Sequence, residues 1–227
     1  MTDTVSDPLD RVQLFGSANT NTFLPGPNAS RRALEITRDG ALFTAGFTLK
    51  AALMGRVFHV NVGTVTTPVT FLTTAANRPV WVIRVPSGTS ILPVKIEHVL
   101  EAAAGTATEL DIRIAQNDIG NGTSSAADVG PINARTDAPY TSLCTARKLY
   151  TGDATAETNP VSVHRQTWPL AQATGLIPYA DYWKPEPGEA IVVGPGSLEA
   201  LLAATTTQAT GYVQITYVEV PSTWVTG

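Results

Sequence analysis

Alternation of apolar and polar side chains is the strongest pattern in this chain, and it is clearest over 79–115. Over 94–100, Val94, Ile96, His98 and Leu100 share one face while Lys95 and Glu97 share the other. Over 110–114, Leu110, Ile112 and Ile114 oppose Asp111 and Arg113. A period of two puts successive side chains on opposite sides of an extended backbone, so both segments are predicted as half-buried antiparallel strands. The segment 80–85 is apolar on both faces except at Arg84, which suits a strand covered on two sides, and Pro86-Ser87-Gly88 stops it with turn chemistry.

The same reading extends in both directions. Residues 1–30 carry Pro8, Gly16, Pro25, Gly26 and Pro27 among Ser, Asn and Thr without sustained period, which predicts an extended arm. Strands are predicted at 33–38 and 41–49 around an Asp39-Gly40 turn, then a single helical turn at 51–54 stopped by Gly55. In 57–62, Phe58, Val60 and Val62 oppose His59 and Asn61, and 65–72 follows with Pro68 marking an edge or bulge. The stretch 116–139 has no period and reads as a long loop, 141–150 fits a short helix as well as a strand, and 161–170 alternates with neither face clean. Turn residues then bracket a short buried strand at 189–193 and a segment at 197–203 that we read as strand, although Leu198, Leu201 and Leu202 also fit helical spacing. Over 212–220, Val213, Ile215 and Tyr217 oppose Gln214 and Thr216 until Pro221 ends the run. About eight to ten such strands, with no helix beyond two turns, are the profile of an all-β antiparallel sandwich or jelly roll. The predicted organisation is an arm over 1–30 and one sandwich domain over 31–227.

Composition narrows the functions. With 227 residues and 43% hydrophobic content the chain can bury an ordinary core, but only 15% of residues are charged. A surface so poor in charge is often shared with neighbours, and a homo-oligomer is expected. The net charge of −4 and the scattered cations argue against nucleic acid as a partner. The first residues lack the apolar core of a signal peptide, and no stretch has the ~18 apolar residues of a membrane span, so neither cleaved export nor membrane insertion is expected. A single cysteine, Cys144, excludes an intrachain disulfide.

The search for chemistry returns little. His59, His98 and His164 stand on separate predicted strands without a second ligand at i+2 or i+4, so no metal site and no cofactor is expected. Glu97, Glu101, Glu109, Asp111 and Asp118 alternate with cations and read as a solvated face rather than an acid/base pair. No nucleophile elbow, phosphate-binding glycine loop or CxxC is present, so no catalytic residues are assigned and a jelly-roll enzyme is disfavoured. Tyr179, Tyr182 and Trp183 fall together and could contact a glycan or a neighbouring subunit. In the arm, Val12, Leu14, Phe15, Phe23 and Leu24 are the side chains that would anchor it on a partner.

Two segments carry a resemblance: GRVFHVNVGTVTTPVTFL at 55–72, with its Gly-Arg-x-Phe opening, and PGEAIVVGPGSLEALLAATTTQATGYVQITYVEVP at 187–221, which closes on an alternating strand near Glu219. Both are similar to the jelly-roll virion proteins of tailed bacteriophages that sit on or near the capsid. The resemblance implies a jelly-roll fold and a non-enzymatic capsid decoration, cement or vertex subunit. It also implies a trimer, located in the virion after assembly in the host cytoplasm, with the major capsid protein or other virion subunits as partners. The competing expectation is a glycan-binding host-recognition module of a phage fibre or spike.

Overall fold

The computed structural model describes residues 15–19, 29–33, 47–71, 78–102, 108–120, 127–137, 140–150, 155–168, 179–186, 191–204 and 209–224. By internal contacts the chain divides into two compact units, 1–46 with 223–227, and 47–222. In the first, β1 (Phe15–Asn19) pairs antiparallel with β2 (Ala29–Ala33), from Phe15 opposite Ala33 to Asn19 opposite Ala29. The segment predicted as an extended arm thus contains paired strands, and β2 runs across the expected 30/31 boundary.

The second unit opens with α1 (Phe47–Leu53), where extended chain was expected through residue 49. The helix absorbs the single turn predicted at 51–54, buries Ala51 and ends at Gly55, whose φ of 67° is the left-handed conformation that closes helices at glycine. β3 (Val57–Val62) follows as predicted. The strand expected at 65–72 shrinks to β4 (Val69–Thr70), because Thr64 and Thr67 close a tight turn by exchanging backbone hydrogen bonds. Then come β5 (Trp81–Val85), β6 (Thr89–Ala102) and β7 (Thr108–Ala115). The expected loop at 116–139 carries two short strands, β8 (Ala127–Asp128) and β9 (Ile132–Asn133), and the ambiguous segment resolves as β10 (Thr145–Lys148). β11 (Val161–Trp168), β12 (Tyr179–Trp183), β13 (Gly196–Ala204) and β14 (Thr210–Pro221) complete the set. Of the strand expected at 189–193, the described part contributes one bridge, Val193 to Ile91. Apart from Ala33, which ends β2, the strand predicted at 33–38 and the first part of 41–49 lie outside the described residues.

Two antiparallel sheets form the sandwich. The first has the order β12-β6-β14-β3-β9 with β4 also on β14, and the second the order β11-β7-β13-β5-β10-β8. Their long strands pair in a nested way: β3 with β14, β5 with β13, β6 with β12 and β7 with β11, alternating between sheets. The inward residues make one core from both sheets, with Phe58, Val60, Ile96, Val213, Ile215 and Tyr217 against Trp81, Ile83, Leu110, Ile112, Leu198 and Leu202. Burial of these side chains contributes roughly 1.5–3 kcal/mol each and is what selects the register, since a one-residue slip turns each strand's apolar set outward. A smaller cluster of Val82, Ala115, Ile119 and Tyr150 sits on the outer side of the second sheet, where loops cover it.

Candidate interaction surface

Large apolar side chains left in solvent concentrate around the free end of the first sheet. Ile132 on the edge strand β9, Leu143 and Tyr140 in the loop before β10, and Leu53 with Met54 at the end of α1 are all exposed. Hydrogen bonds tie these segments into one neighbourhood. The Asn133 amide donates to the carbonyls of Gly55 (2.7 Å) and Tyr140 (3.0 Å), and Arg135 donates to the Leu53 carbonyl (2.7 Å). The Arg56 guanidinium lies 5.3 Å from the centre of the Tyr140 ring. Exposed apolar side chains gathered on neighbouring segments in this way are what an interaction surface presents.

The loop that presents Leu143 is clasped from below. Glu219 near the end of β14 is buried, and its carboxylate accepts from the Ser142 hydroxyl (2.6 Å) and the Leu143 amide (3.1 Å). The Ser142 hydroxyl also accepts from the Cys144 amide and meets the Tyr217 hydroxyl at 3.0 Å. Burial, reinforced by the Glu219 charge, pushes the Cys144 thiol well above its ordinary range, so it is a packing group and not a thiolate. Sequence reasoning did not find this clasp, because Glu219 and Ser142 are 77 residues apart; the one local signal is an acid in an otherwise apolar run.

The aromatics singled out from sequence separate. Tyr182 is exposed on the outer face, with Lys95 Nζ 5.0 Å from its ring centre, whereas Trp183 is buried in the core. Neighbours on a strand face opposite ways, so these two cannot form one stacking platform. Tyr179 opens β12 opposite Leu100. Of the arm residues, Phe15 is described, as the first residue of β1; Val12, Leu14, Phe23 and Leu24 lie outside the described residues.

The histidines occupy three environments. His59 Nδ1 meets the Thr216 hydroxyl at 2.9 Å on the outer face. His98 lies in the core, where its Nε2 accepts from Trp81 Nε1 at 3.0 Å, and burial, helped by nearby His164, lowers its pKa to about 3. Because Nε2 accepts, the ring proton sits on Nδ1, which is buried without a partner. His164 on the edge strand β11 meets the Asp181 carboxylate of β12 at 3.0 Å and bridges the two sheets. Among the described residues no group of three His, Cys, Asp or Glu side chains is placed to hold a metal ion. No protein-family model matches the sequence, and no curated protein matches it either.

Proposed function

We propose that the chain is a non-enzymatic structural subunit of a virion, a jelly-roll capsid decoration, cement or vertex component that acts through contacts between subunits. The observation that supports this reading is the nested pairing of the long strands, β3 with β14, β5 with β13, β6 with β12 and β7 with β11, in the order expected of a jelly roll. The clasped apolar patch at Ile132, Tyr140 and Leu143 supports it, since a preorganised apolar surface costs little ordering when it binds. On this reading the protein is a homo-oligomer, a trimer, and its further partners are the major capsid protein or other virion subunits.

The test is light scattering on the purified chain, followed by co-sedimentation with particles. A trimer is expected, and Ile132→Asp combined with Leu143→Asp should dissociate it while leaving the circular dichroism of the sandwich intact. A wild-type monomer at micromolar concentration that also fails to bind particles overturns the proposal.

A further inference from the structure

We infer that the segment 155–160 is a strap held on the outer face of the second sheet by a proton shared between Glu157 and Glu199, and that loss of this proton releases it. Glu199 projects from β13 on the face opposite the core, yet it is fully buried and neither carboxyl oxygen has a hydrogen-bond donor from another residue. Its cross-strand partners are Arg113 on β7 and Val82 on β5. What covers it is the strap. The Thr155 amide donates to the Ile119 carbonyl (2.9 Å), the Gln116 amide to the Thr158 carbonyl (3.0 Å), and the Asn117 side chain holds both the Ala156 carbonyl and the Thr158 amide.

An ionised carboxylate in that place lacks both water and a donor, which is a costly state. A neutral acid costs far less there, and Glu157 on the strap is brought close to it by Arg113, the residue opposite Glu199 on β7. The proton resides on Glu199. Arg113 Nη1 donates to both Glu157 oxygens at 3.1 and 3.2 Å, so Glu157 is the acceptor and Glu199 the donor of the shared proton. Burial first, then the Glu157 contact, pushes the Glu199 pKa up to about 9.

Asp111 on β7 faces the same group, with Arg165 of β11 behind it, and Tyr150, which feels the Glu199 charge, is itself set among Arg84 on β5, Arg147 on β10 and Asp118 in the loop after β7. The Arg113 charge moderates the shift without supplying a donor to Glu199. When hydroxide takes the proton, two carboxylates remain side by side in a buried space. The strap must then lift, exposing the Val82, Ile119 and Tyr150 cluster beneath the loops.

The experiment is a carbon NMR titration of the Glu199 carboxyl in the full chain, with hydrogen exchange of the Thr155 and Thr158 amides corrected for intrinsic base catalysis. In the wild type, Glu199 should titrate several pH units above an ordinary glutamate, and protection of both amides should fall about tenfold per pH unit beyond that midpoint. Glu199→Gln, which copies the neutral acid, should keep protection across the same range. Glu157→Gln, which removes the neighbouring charge, should move the Glu199 titration down by about one pH unit or more. A Glu199 that titrates in the ordinary carboxyl range, one that ignores Glu157→Gln, or a strap that lifts equally in Glu199→Gln overturns the inference.

Discussion

His98 and Glu199 are buried titratable groups whose shifts oppose each other. His98 has its folded pKa lowered to about 3 from 6.5, so its contribution to stability is whole above the unfolded value and is lost as pH falls from about 6.5 toward 3. Glu199 has its folded pKa raised to about 9 from 4.5, so the native state binds the extra proton and stability declines as pH rises from about 4.5 to 9. The two windows overlap at mildly acid pH, where urea unfolding should find the maximum. Glu199→Gln should remove the alkaline decline and stabilise the protein at pH 8 on the order of 3 kcal/mol. His98→Gln should flatten the acid limb between about pH 4.5 and 3 and uncover the Glu199 decline above it, while costing about 1–3 kcal/mol at neutral pH, because the Trp81 N–H must find a new acceptor. A further loss in stronger acid will remain in both variants. Asp118 is held below the usual carboxylate range by the Arg84 hydrogen bonds, and Asp111, although burial works against it, by hydrogen bonds from Arg113 and Ser162. An unchanged profile in Glu199→Gln would show that its acid is ionised in the native state.

At the scale of the strand, irregularities are as informative as alternation. β11 pairs with β7 through a register shift between Ser162 and His164, so Val163 is an extra residue and the inward set continues as His164, Gln166 and Trp168. This shift, together with its edge position, is why 161–170 showed no clean face in sequence. The strands read best in advance, 57–62, 94–100, 110–114 and 212–220, are interior or doubly paired, and their partners impose the burial that period two encodes. What local pattern could not supply were contacts between distant segments: Asn117 with 156–158, Arg84 with Asp118, Ser142 with Glu219. Nor could it separate Tyr182 from Trp183 as surface and core until a strand was known to run through both. Gly211 shows how closely two strands can approach at a bulge. A Cβ there would lie 1.9 Å from the Val99 carbonyl oxygen, which lies on a neighbouring paired strand and cannot swing aside as a side chain could. Gly211→Ala should therefore cost about 3 kcal/mol in chemical denaturation. A loss below about 1 kcal/mol would mean that the β6–β14 register relaxes freely around residue 211.

For the whole molecule, the order of pairing decides which ends matter. β14 lies between β6 and β3 and carries β4 as well, so truncation after residue 209 removes the middle of the first sheet and should abolish cooperative unfolding by circular dichroism. Removal of residues 1–30 should leave the melting transition nearly unchanged, because every residue of the described core lies at Ala51 or beyond. Should the shorter chain melt markedly earlier, the first unit would be part of the sandwich's stability after all. Because β3 meets β14 and β5 meets β13, most pairings close long loops, and refolding should be slow, in the millisecond-to-second regime of β-rich domains.

The pairing of the outermost strands has a mechanical consequence. Val57 stands opposite Val218, and the Glu219 amide donates to the Arg56 carbonyl, so the sandwich receives its chain and releases it at the same pole. Tension applied between residues 47 and 222 would load the β3–β14 hydrogen bonds one after another from that pole, in the manner of a zip, instead of shearing them together. The material is therefore anisotropic. A tether on both ends of the sandwich meets its weakest direction, while a load spread across the faces of the sheets meets the interlocked side chains of the core.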